Sequence, residues 1–229
     1  MPAPLSVIIP TLNAADLLPE TAEHLLSGAT EGLIRELIIS DGGSADTITR
    51  VAKELGATFL EGAPGRGGQV ARGLEAATAP WLLILHADTH LGNDWTQAAR
   101  DHMNSHADKA GYFRLRFRAK GLAPRVIELG ANLRSRVFDL PYGDQGLLIS
   151  RELLNEIGGY PEIPLMEDVA LAKLLKGRLR ELNATAQTSA ERYHRDGWTR
   201  RALKNLGTLV RYRLGANPDA LARRYNRER

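Results

Sequence analysis

Residues 81–88, WLLILHAD, decide the fold of this 229-residue chain. The first five are apolar, which is typical of a strand buried on both faces of a sheet. Three similar runs come before them, at residues 6–10, 36–40 and 57–60. Stretches with apolar residues at helical spacing lie between the runs, at residues 14–27, 46–55 and 69–77. This alternation predicts a parallel sheet with helices on both faces.

The second half of the chain is less regular and indicates a mixture of strands and helices. Residues 110–118 alternate between apolar and polar side chains, as a half-exposed strand does. We also expect strands at residues 145–150 and 179–185, and helices at residues 122–138, 167–176 and 199–214. The sequence shows no clear linker, which favours one large domain.

The composition excludes several kinds of site. The chain has no cysteine, so disulfide bonds and thiolate metal sites are excluded. Its longest apolar run, Trp81 to Leu85, is far short of the ~20 residues that cross a bilayer. The N-terminal sequence MPAPLSVIIPT lacks the basic segment that begins a secretory signal. We therefore expect a cytoplasmic protein.

The net charge of +3 is unevenly distributed. Residues 191–229 contain 11 Lys and Arg against 4 Asp and Glu, a net +7, which leaves −4 for the preceding residues. Such a segment attracts anionic phospholipid, a diphosphate or nucleic acid. A solvated helical face is an equally good explanation of the charge alone.

The ends of the predicted strands bring polar side chains to one edge of the sheet, where parallel sheets bind ligands. Asn13 follows the first strand, Asp41 the second, and His86 and Asp88 the fourth. In an extended segment His86 and Asp88 point to the same face, so both could approach one hard cation such as Mg²⁺ or Mn²⁺. His90 could join them if the strand continues. The structural alternative is that Asp88 caps a turn and the histidines satisfy a loop.

The glycine-rich loop at residues 65–68 precedes a predicted helix, where free backbone N–H groups favour an anion. Arg66 could add a charge-assisted contact to a diphosphate. Glycine-rich turns are common, however, and this one matches neither the dinucleotide fingerprint nor the Gly-Lys-Ser/Thr phosphate loop. The loop alone is therefore weak support for phosphate binding.

Two adjacent carboxylates, Glu167 and Asp168, stand at the predicted start of a helix. The helix dipole favours acidic residues there, so a structural role accounts for one of them. A carboxylate held at a helix terminus can instead act as general base toward an acceptor hydroxyl. The segment YGDQG at 142–146, which contains Asp144 and Gln145, could be no more than a turn.

Together these segments resemble the family 2 glycosyltransferases, whose nucleotide-sugar-binding, Rossmann-like α/β fold is called GT-A. The similarity lies in SVIIPTLNAADLL at 6–18, residues 36–48, LLILHADT at 82–89 and MEDVAL at 166–171. A narrower group of small soluble transferases, named for arsenosugar biosynthesis, is similar in HADT, YGDQG, MEDVAL and SAERYHRDGWTR. The resemblance implies a mixed, mostly parallel central sheet flanked by helices, followed by a C-terminal helical segment.

The resemblance also implies roles for individual residues. Asp168 would be the catalytic base with Glu167 beside it, and Asp88 with His86 would hold a divalent cation, Mn²⁺ or Mg²⁺. Nucleotide contacts would come from Pro10, Thr11, Asn13, Asp41, Arg66 and Asp88. Acceptor or diphosphate contacts would come from Asp144, Gln145, Arg192, Tyr193 and Trp198. The family's usual Asp-x-Asp is His86-Ala87-Asp88 in this chain, and its Gln-x-x-Arg-Trp element is absent.

The resemblance and the charge asymmetry suggest boundaries within the chain. A GT-A domain would span residues 1–195, with a nucleotide-binding half at 1–91 and an acceptor half at 92–195. Basic helices would follow at 196–229.

These inferences predict an inverting glycosyltransferase that moves a sugar from a nucleoside-diphosphate sugar, which we expect to be UDP-linked, to an acceptor hydroxyl. The acceptor would be a small molecule or lipid-linked. The amphipathic basic helix at 199–214 fits peripheral contact with the inner face of an anionic membrane, and it equally fits packing against the domain or a second subunit. Nucleic acid is not an expected partner.

Two alternatives to this function stay open. A sugar-phosphate nucleotidyltransferase would carry a glycine-rich loop with Arg and Lys after the first strand, where this chain has Thr11 to Ala15. A non-catalytic nucleotide- or membrane-binding protein could use the same scaffold, but the intact acidic clusters argue against it.

Overall fold

A single mixed sheet runs through the protein, which we describe from a computed structural model covering residues 2–227. Within these residues the strand order is β3-β2-β1-β4-β7-β6-β8-β5. The strands are β1 (Leu5–Thr11), β2 (Ile34–Asp41), β3 (Thr58–Glu61), β4 (Trp81–Ile84), β5 (Thr89–Leu91), β6 (Ala110–Phe117), β7 (Leu147–Ser150) and β8 (Leu179–Thr188). β1 to β4 are parallel, β7 pairs antiparallel with β4 and β6, β8 pairs parallel with β6, and β5 is antiparallel to β8. The mixed, mostly parallel sheet is thus confirmed.

Helices flank the sheet and continue beyond its last strand. They are α1 (Leu18–Glu23), α2 (Leu26–Thr30), α3 (Ile48–Glu54), α4 (Arg66–Ala76), α5 (Trp95–Ser105), α6 (Leu122–Phe138), α7 (Arg151–Glu156), α8 (Glu167–Leu174), α9 (Glu191–Asp196), α10 (Trp198–Arg213) and α11 (Pro218–Arg227). None of these combines the length and the apolar character that crossing a bilayer requires. The last two residues of the predicted basic segment at 196–229 lie outside the described residues.

The core lies on both faces of the sheet, because successive residues of a strand point to opposite sides. In β1, Val7 and Ile9 enter the cluster that also contains Trp95, whereas Ile8 enters the cluster that contains Leu74 of α4. All three β1 residues are fully buried. This two-sided burial explains why the sequence of β1 is apolar without alternation.

Two predicted helices differ from those observed in the first half. The stretch 14–27 is broken at His24 and Leu25 into α1 and α2, because the Trp95 indole N–H donates to the His24 carbonyl and to the Ser27 hydroxyl, both at 3.1 Å. Helix α4 begins at Arg66, three residues before the predicted start, since Gly65 at φ 140° serves as its N-cap. The loop assignment of residues 66–68 was therefore wrong.

The second half confirms the predicted elements with shifted ends. α6 covers the expected 122–138, while β7 begins at Leu147 because residues 143–145 form a 3-10 turn. β8 continues to Thr188, three residues beyond the prediction. β5, α5 and α7 were not predicted; the buried side of α5 carries the small residues Ala98 and Ala99 and the polar His102, which give a weak apolar signal.

Two helical glycines test the packing of α4 on the sheet. A Cβ at Gly73 would lie 2.5 Å from Cγ2 of Ile8, whereas a Cβ at Gly130 in α6 would meet nothing within 4 Å. We expect Gly73→Ala to lower the free energy of unfolding by about 1–3 kcal/mol through overpacking. Gly130→Ala should raise it by about 0.5–1 kcal/mol, since alanine favours a helix. Denaturant titration measures both, and a Gly73→Ala protein as stable as wild type would contradict the close packing.

Candidate functional site

A cavity of about 150 Å³ opens beside the carboxyl ends of β4 and β8. Residues from α8, α9, α10, the start of α4 and the 3-10 turn at residues 143–145 complete its walls. Its charged and titratable lining residues are Asp88, Asp144, Asp168, Arg66, Arg192, Arg201 and His86. Acidic and basic groups are thus both present, so an anionic ligand group can lie beside arginine while hydroxyl groups face carboxylates.

A second, smaller cavity of about 30 Å³ shares part of this lining. The shared residues are Arg66, His86, Tyr142, Gly143 and Asp168, and most other walls are apolar. Asp168 therefore borders both a polar cavity and an apolar one.

His86 and Asp88 both line the main cavity, but not as neighbours on a strand. Ala87 and Asp88 form a tight turn, in which Thr89 N–H donates to the His86 carbonyl at 3.1 Å. The expected extended conformation was wrong at this point. His90 consequently lies in β5, stacked on the His24 ring at 4.4 Å between centroids, and does not line the cavity.

The His86 imidazole is neutral at physiological pH. Desolvation, followed by the positive charges of Arg66 and Arg192, holds the pKa of His86 well below its usual value. A neutral imidazole keeps a lone pair on one ring nitrogen, which is the form that binds a metal ion.

Asp168 is fixed by backbone donors from two segments. Its Oδ2 accepts from Gly143 N–H at 2.8 Å, and its Oδ1 accepts from Val169 N–H at 2.8 Å. Gly143 is close to His86 as well, since a Cβ there would lie 2.6 Å from His86 Nε2. The glycine therefore allows His86, the 3-10 turn and Asp168 to meet.

Glu167 lies beside Asp168 in sequence but forms a different interaction. Its Oε1 is 3.1 Å from Nη1 of Arg66, and its side chain is 1% exposed. Desolvation raises the pKa of Glu167 to about 7. The positive charge of Arg66 lowers this pKa in part, and the negative charge of Asp168 raises it further. Oε2 has no hydrogen-bond partner among the described residues.

Asp144 faces the cavity from the 3-10 turn. Desolvation raises its pKa to about 6, opposed by the charge of Arg134 and reinforced by those of Asp168 and Asp88. Its Oδ1 is buried without a hydrogen-bond partner in the part of the chain that the structure describes. A cation or a ligand hydroxyl would satisfy this oxygen.

Gln145 lies behind the cavity. The side chain is fully buried, its Oε1 accepts from the Ser135 hydroxyl at 2.7 Å, and its Nε2 donates to the Phe113 carbonyl at 3.0 Å. It anchors the 3-10 turn to β6 and α6, so its position gives no support to the predicted acceptor contact. The turn is fixed further by Arg134, whose guanidinium lies 3.4 Å from the Tyr142 ring centroid.

The residues predicted to contact the acceptor or diphosphate between positions 192 and 198 lie at two distances from the cavity. Arg192 and Tyr193 line the cavity from α9, whereas Trp198 does not. Trp198 stacks on Tyr193 at 4.9 Å between centroids and meets Phe117 edge-on at 5.3 Å. Trp198 thus supports Tyr193 from behind.

The predicted nucleotide contacts of the first two strands lie at the same sheet edge but outside the main cavity's lining. Thr11, which follows Pro10, donates to Asp41 Oδ1 at 2.7 Å, and Asn13 Oδ1 accepts from Ala45 N–H at 2.9 Å. Burial would raise the pKa of Asp41, but hydrogen bonds from Ser44, Thr11 and Gly43 outweigh it and lower that pKa. This network fixes the loop after β2.

The cavity fits a divalent cation only with help from a ligand. In residues 2–227 no three His, Asp or Glu side chains converge to hold a metal ion by themselves. Mg²⁺ and Mn²⁺ commonly use one or two protein ligands together with phosphate oxygens. The neutral His86, Asp88 and the unpartnered Asp144 oxygen suit such a site.

Several cavity residues escaped the sequence analysis. Gly143 stands between two predicted residues, and its role depends on a close approach that no local pattern reveals. Arg201, Asn205 and Thr208 come from one side of α10 at a spacing of three or four residues. That polar side was the available signal, because it lies opposite the leucines of the same helix.

Comparison with known proteins agrees with this geometry. The model of the family described as glycosyl transferase family 2 matches residues 6–140, more than half of the chain. The PGL/p-HBAD biosynthesis glycosyltransferase of Mycobacterium tuberculosis is 35% identical over 99 residues, covering 40% of this chain and 38% of that relative. The chain thus aligns with well under half the length of this relative.

Solved structures of transferases share the fold. The mannosyltransferase PcManGT from Pyrobaculum calidifontis, in complex with GDP-Man and Mn²⁺, gives a TM-score of 0.61 at 18% identity over 80% of this chain and 56% of that one. Glucosyl-3-phosphoglycerate synthase from Mycobacterium tuberculosis, in complex with Mn²⁺ and UDP-glucose, gives a TM-score of 0.58 at 18% identity. The match covers 82% of this chain and 70% of the synthase chain. The predicted GT-A fold is confirmed. Because the family model matches most of the sheet and the turn that carries His86 and Asp88, the chain belongs to glycosyl transferase family 2.

Proposed function

We propose that the protein is an inverting glycosyltransferase that transfers a sugar from a nucleoside-diphosphate sugar to an acceptor hydroxyl. The observation that carries the proposal is that Asp168 and Asp88, which the sequence places 80 residues apart, line one cavity together with Arg66 and Arg192. A base, an acidic ligand for a cation and two groups that attract phosphate are thereby within one site. UDP is the expected nucleoside diphosphate; the UDP-glucose and GDP-Man complexes of the two structural neighbours support a nucleotide-sugar donor.

The proposed reaction is a single displacement at the anomeric carbon. The acceptor oxygen forms a bond to this carbon while the bond to the diphosphate oxygen breaks, and Asp168 takes the acceptor proton. The two N–H groups that bind Asp168 fix its carboxylate in the cavity. Inversion follows because the acceptor attacks from the side opposite to the leaving group.

Negative charge grows on the departing nucleoside diphosphate. Arg66 and Arg192 line the cavity and would stabilise that charge. Asp88 and His86 would hold Mn²⁺ or Mg²⁺, and Asp144 would face the cation or an acceptor hydroxyl. When bound, such a cation neutralises charge on phosphate oxygens.

Glu167 acts in this proposal as a positioning residue. Its carboxylate contacts Arg66 and is sealed from solvent, so it orients the guanidinium and leaves proton transfer to Asp168. The network of Thr11, Asn13 and Asp41, with Pro10, would receive the base and ribose. Tyr193, supported by Trp198, would contact the acceptor or diphosphate.

The proposal includes the wider setting of the reaction. Residues 1–91 would form the nucleotide half, residues 92–195 the acceptor half, and the basic helices at 196–229 would contact anionic lipid at the cytoplasmic face of a membrane. The acceptor would be a small molecule or lipid-linked. The resemblance to arsenosugar-biosynthesis transferases suggests one class of small acceptor.

Asp168→Asn tests the base. The variant should lose turnover by about 10²–10⁴-fold while its affinity for the nucleotide sugar stays near wild type, because the amide cannot accept the proton. Steady-state rates and calorimetric titration with UDP-sugars measure the two quantities. Activity close to wild type would remove Asp168 from this role.

Asp88→Ala tests the cation site. Nucleotide-sugar affinity in the presence of Mn²⁺ should fall at least about tenfold, because the acidic ligand is lost. Asp94→Ala is the control, since Asp94 is exposed at the N-cap of α5. Equal Mn²⁺-dependent affinities of the Asp88→Ala and Asp94→Ala proteins would contradict the assignment.

Glu167→Gln tests the buried carboxylate through stability. Glu167 has a pKa raised from 4.5 to about 7, so the folded state keeps a proton that the unfolded state has lost. The stability that Glu167 contributes to the wild-type protein is therefore fully present below pH 4.5. This contribution is lost as the pH rises through about 7. Relative to wild type, Glu167→Gln should gain on the order of 2 kcal/mol in free energy of unfolding between these limits.

The control for this profile is Glu162→Gln, at an exposed position on the same segment. In denaturant titrations across the pH range, the free energy of unfolding of Glu162→Gln should follow that of wild type. A Glu167→Gln curve parallel to wild type would show that Glu167 is not the group that loses stability.

A further inference from the structure

Helix α6 has the opposite polarity to an ordinary surface helix. Its outward side carries apolar side chains that are each 55–86% exposed: Leu122, Val126, Leu129, Leu133, Val137 and Phe138. Its inward side carries Pro124, Glu128, Ala131 and Ser135, all buried. Surface helices normally turn their apolar side to the core. The stripe from Val126 to Val137 is about 17 Å long, and its contact with water is unfavourable.

Helix α10 repeats this arrangement. Leu203, Leu206, Val210 and, just beyond the helix, Leu214 are 46–82% exposed. The other side of the helix faces the cavity through Arg201 and Thr208. Each is two positions from a leucine of the stripe, Leu203 or Leu206, and hence nearly opposite to it at about 100° per residue. The helices are neighbours, since Trp198 of α10 joins the cluster that contains Ala131 of α6.

The charged residues of these two helices are predominantly basic. Away from the cavity, α10 carries Arg200, Lys204, Arg211 and Arg213, and its sequence has no acidic residue. Arg201 is buried on the cavity side, beside Asp196. The one acidic residue of the α6 sequence, Glu128, is buried and lies 2.6 Å from Arg125 and 3.2 Å from Arg116. An apolar stripe beside exposed basic side chains, as on α10, is the pattern of a helix that lies in a membrane interface. The arginines of α6 contact Glu128, Glu181 and the Tyr142 ring, so α6 contributes apolar area to this pattern.

We propose that the outward stripes of α6 and α10, together named the docking face, bind an anionic lipid bilayer. The aliphatic side chains enter the boundary of the acyl region, and the arginine and lysine side chains bind phosphate headgroups. The inference rests on the proposed function in one respect, the peripheral membrane contact. It extends that contact from the basic segment to α6, which supplies the longer apolar stripe.

Charge favours a bilayer over a second copy of this chain. Self-association through the docking face would bring the basic side chains of α10 from two molecules together, with no acidic residue from either α10 to oppose them. An anionic lipid surface instead supplies the opposite charge and removes the same apolar area from water.

The docking face also bears on the substrate. Because α10 lies between the cavity and the outward stripe, the cavity wall and a bilayer on that stripe would be about one helix diameter, ~10 Å, apart. The acceptor class that this arrangement favours is therefore a lipid-linked hydroxyl compound.

Co-sedimentation of the full chain with vesicles tests the docking face. Wild type should bind vesicles of phosphatidylcholine with phosphatidylglycerol, bind pure phosphatidylcholine much less, and be released by salt. Leu133→Ser should weaken partitioning about tenfold, and Leu129→Ser/Leu133→Ser further. Leu26→Ser on α2 is the matched control, because Leu26 is 57% and Leu133 55% exposed, and it should bind like wild type.

Three results would overturn the inference. The first is equal binding of wild type to the two vesicle types, and the second is equal binding of wild type and Leu129→Ser/Leu133→Ser. The third is a wild-type dimer in solution, seen by light scattering, together with a monomeric double variant. Circular dichroism melts check that the variants fold. The vesicle assay contains no donor or acceptor, and the double variant should hydrolyse nucleotide sugar at the wild-type rate, so failure of the docking face and failure of the transferase proposal are distinguishable.

Discussion

The ion pair between Arg66 and Glu167 holds the candidate site together. It joins the first residue of α4 to the first residue of α8 across 101 positions of sequence, and its carboxylate is sealed from solvent. The contact fixes the Arg66 guanidinium whether Glu167 carries a charge or a proton, because Arg66 can donate to Oε1 in both states. Gly67 permits the approach, since a Cβ there would overlap the carbonyl oxygens of Pro161 and Ile163. With both helix starts fixed, Asp168 has one position available, beside Gly143.

The first half of the fold follows directly from the sequence. Strands β1 and β4 are apolar without alternation because both of their faces are covered, and polar loop residues follow each of them. The break between α1 and α2 could not be predicted, since it depends on an indole N–H that arrives from Trp95. The antiparallel placement of β7 beside β4 was equally hidden, because it is decided by a pairing 67 residues away in sequence, Leu82 with Ile149. Local patterns specify what an element is, and distant contacts decide where it pairs.

The site was predictable to the extent that strand ends and helix starts reveal it. His86 and Asp88 lie at the sheet edge that the strand ends predict, and the same cavity contains Arg66, Asp144 and Asp168. The family resemblance, not the strand pattern, suggested that Asp144 and Asp168 belong to the site. Gln145 and Trp198 stand one layer behind, and no sequence pattern distinguishes a side chain that faces a ligand from one that supports it. The inverted polarity of α6 was also invisible at the level of periodicity, because an apolar stripe has the same spacing whether it faces the core or the solvent.

The close approach of Gly143 to His86 links two positions that are 57 apart in the sequence. An aspartate at position 86 would be shorter than the imidazole and would leave space above residue 143, so a small side chain could be accommodated there. With histidine at position 86, a Cβ at residue 143 would lie 2.6 Å from Nε2, so any side chain there would displace the imidazole. The departure from the Asp-x-Asp pattern therefore constrains two segments at once, the turn after β4 and the 3-10 turn at residues 143–145.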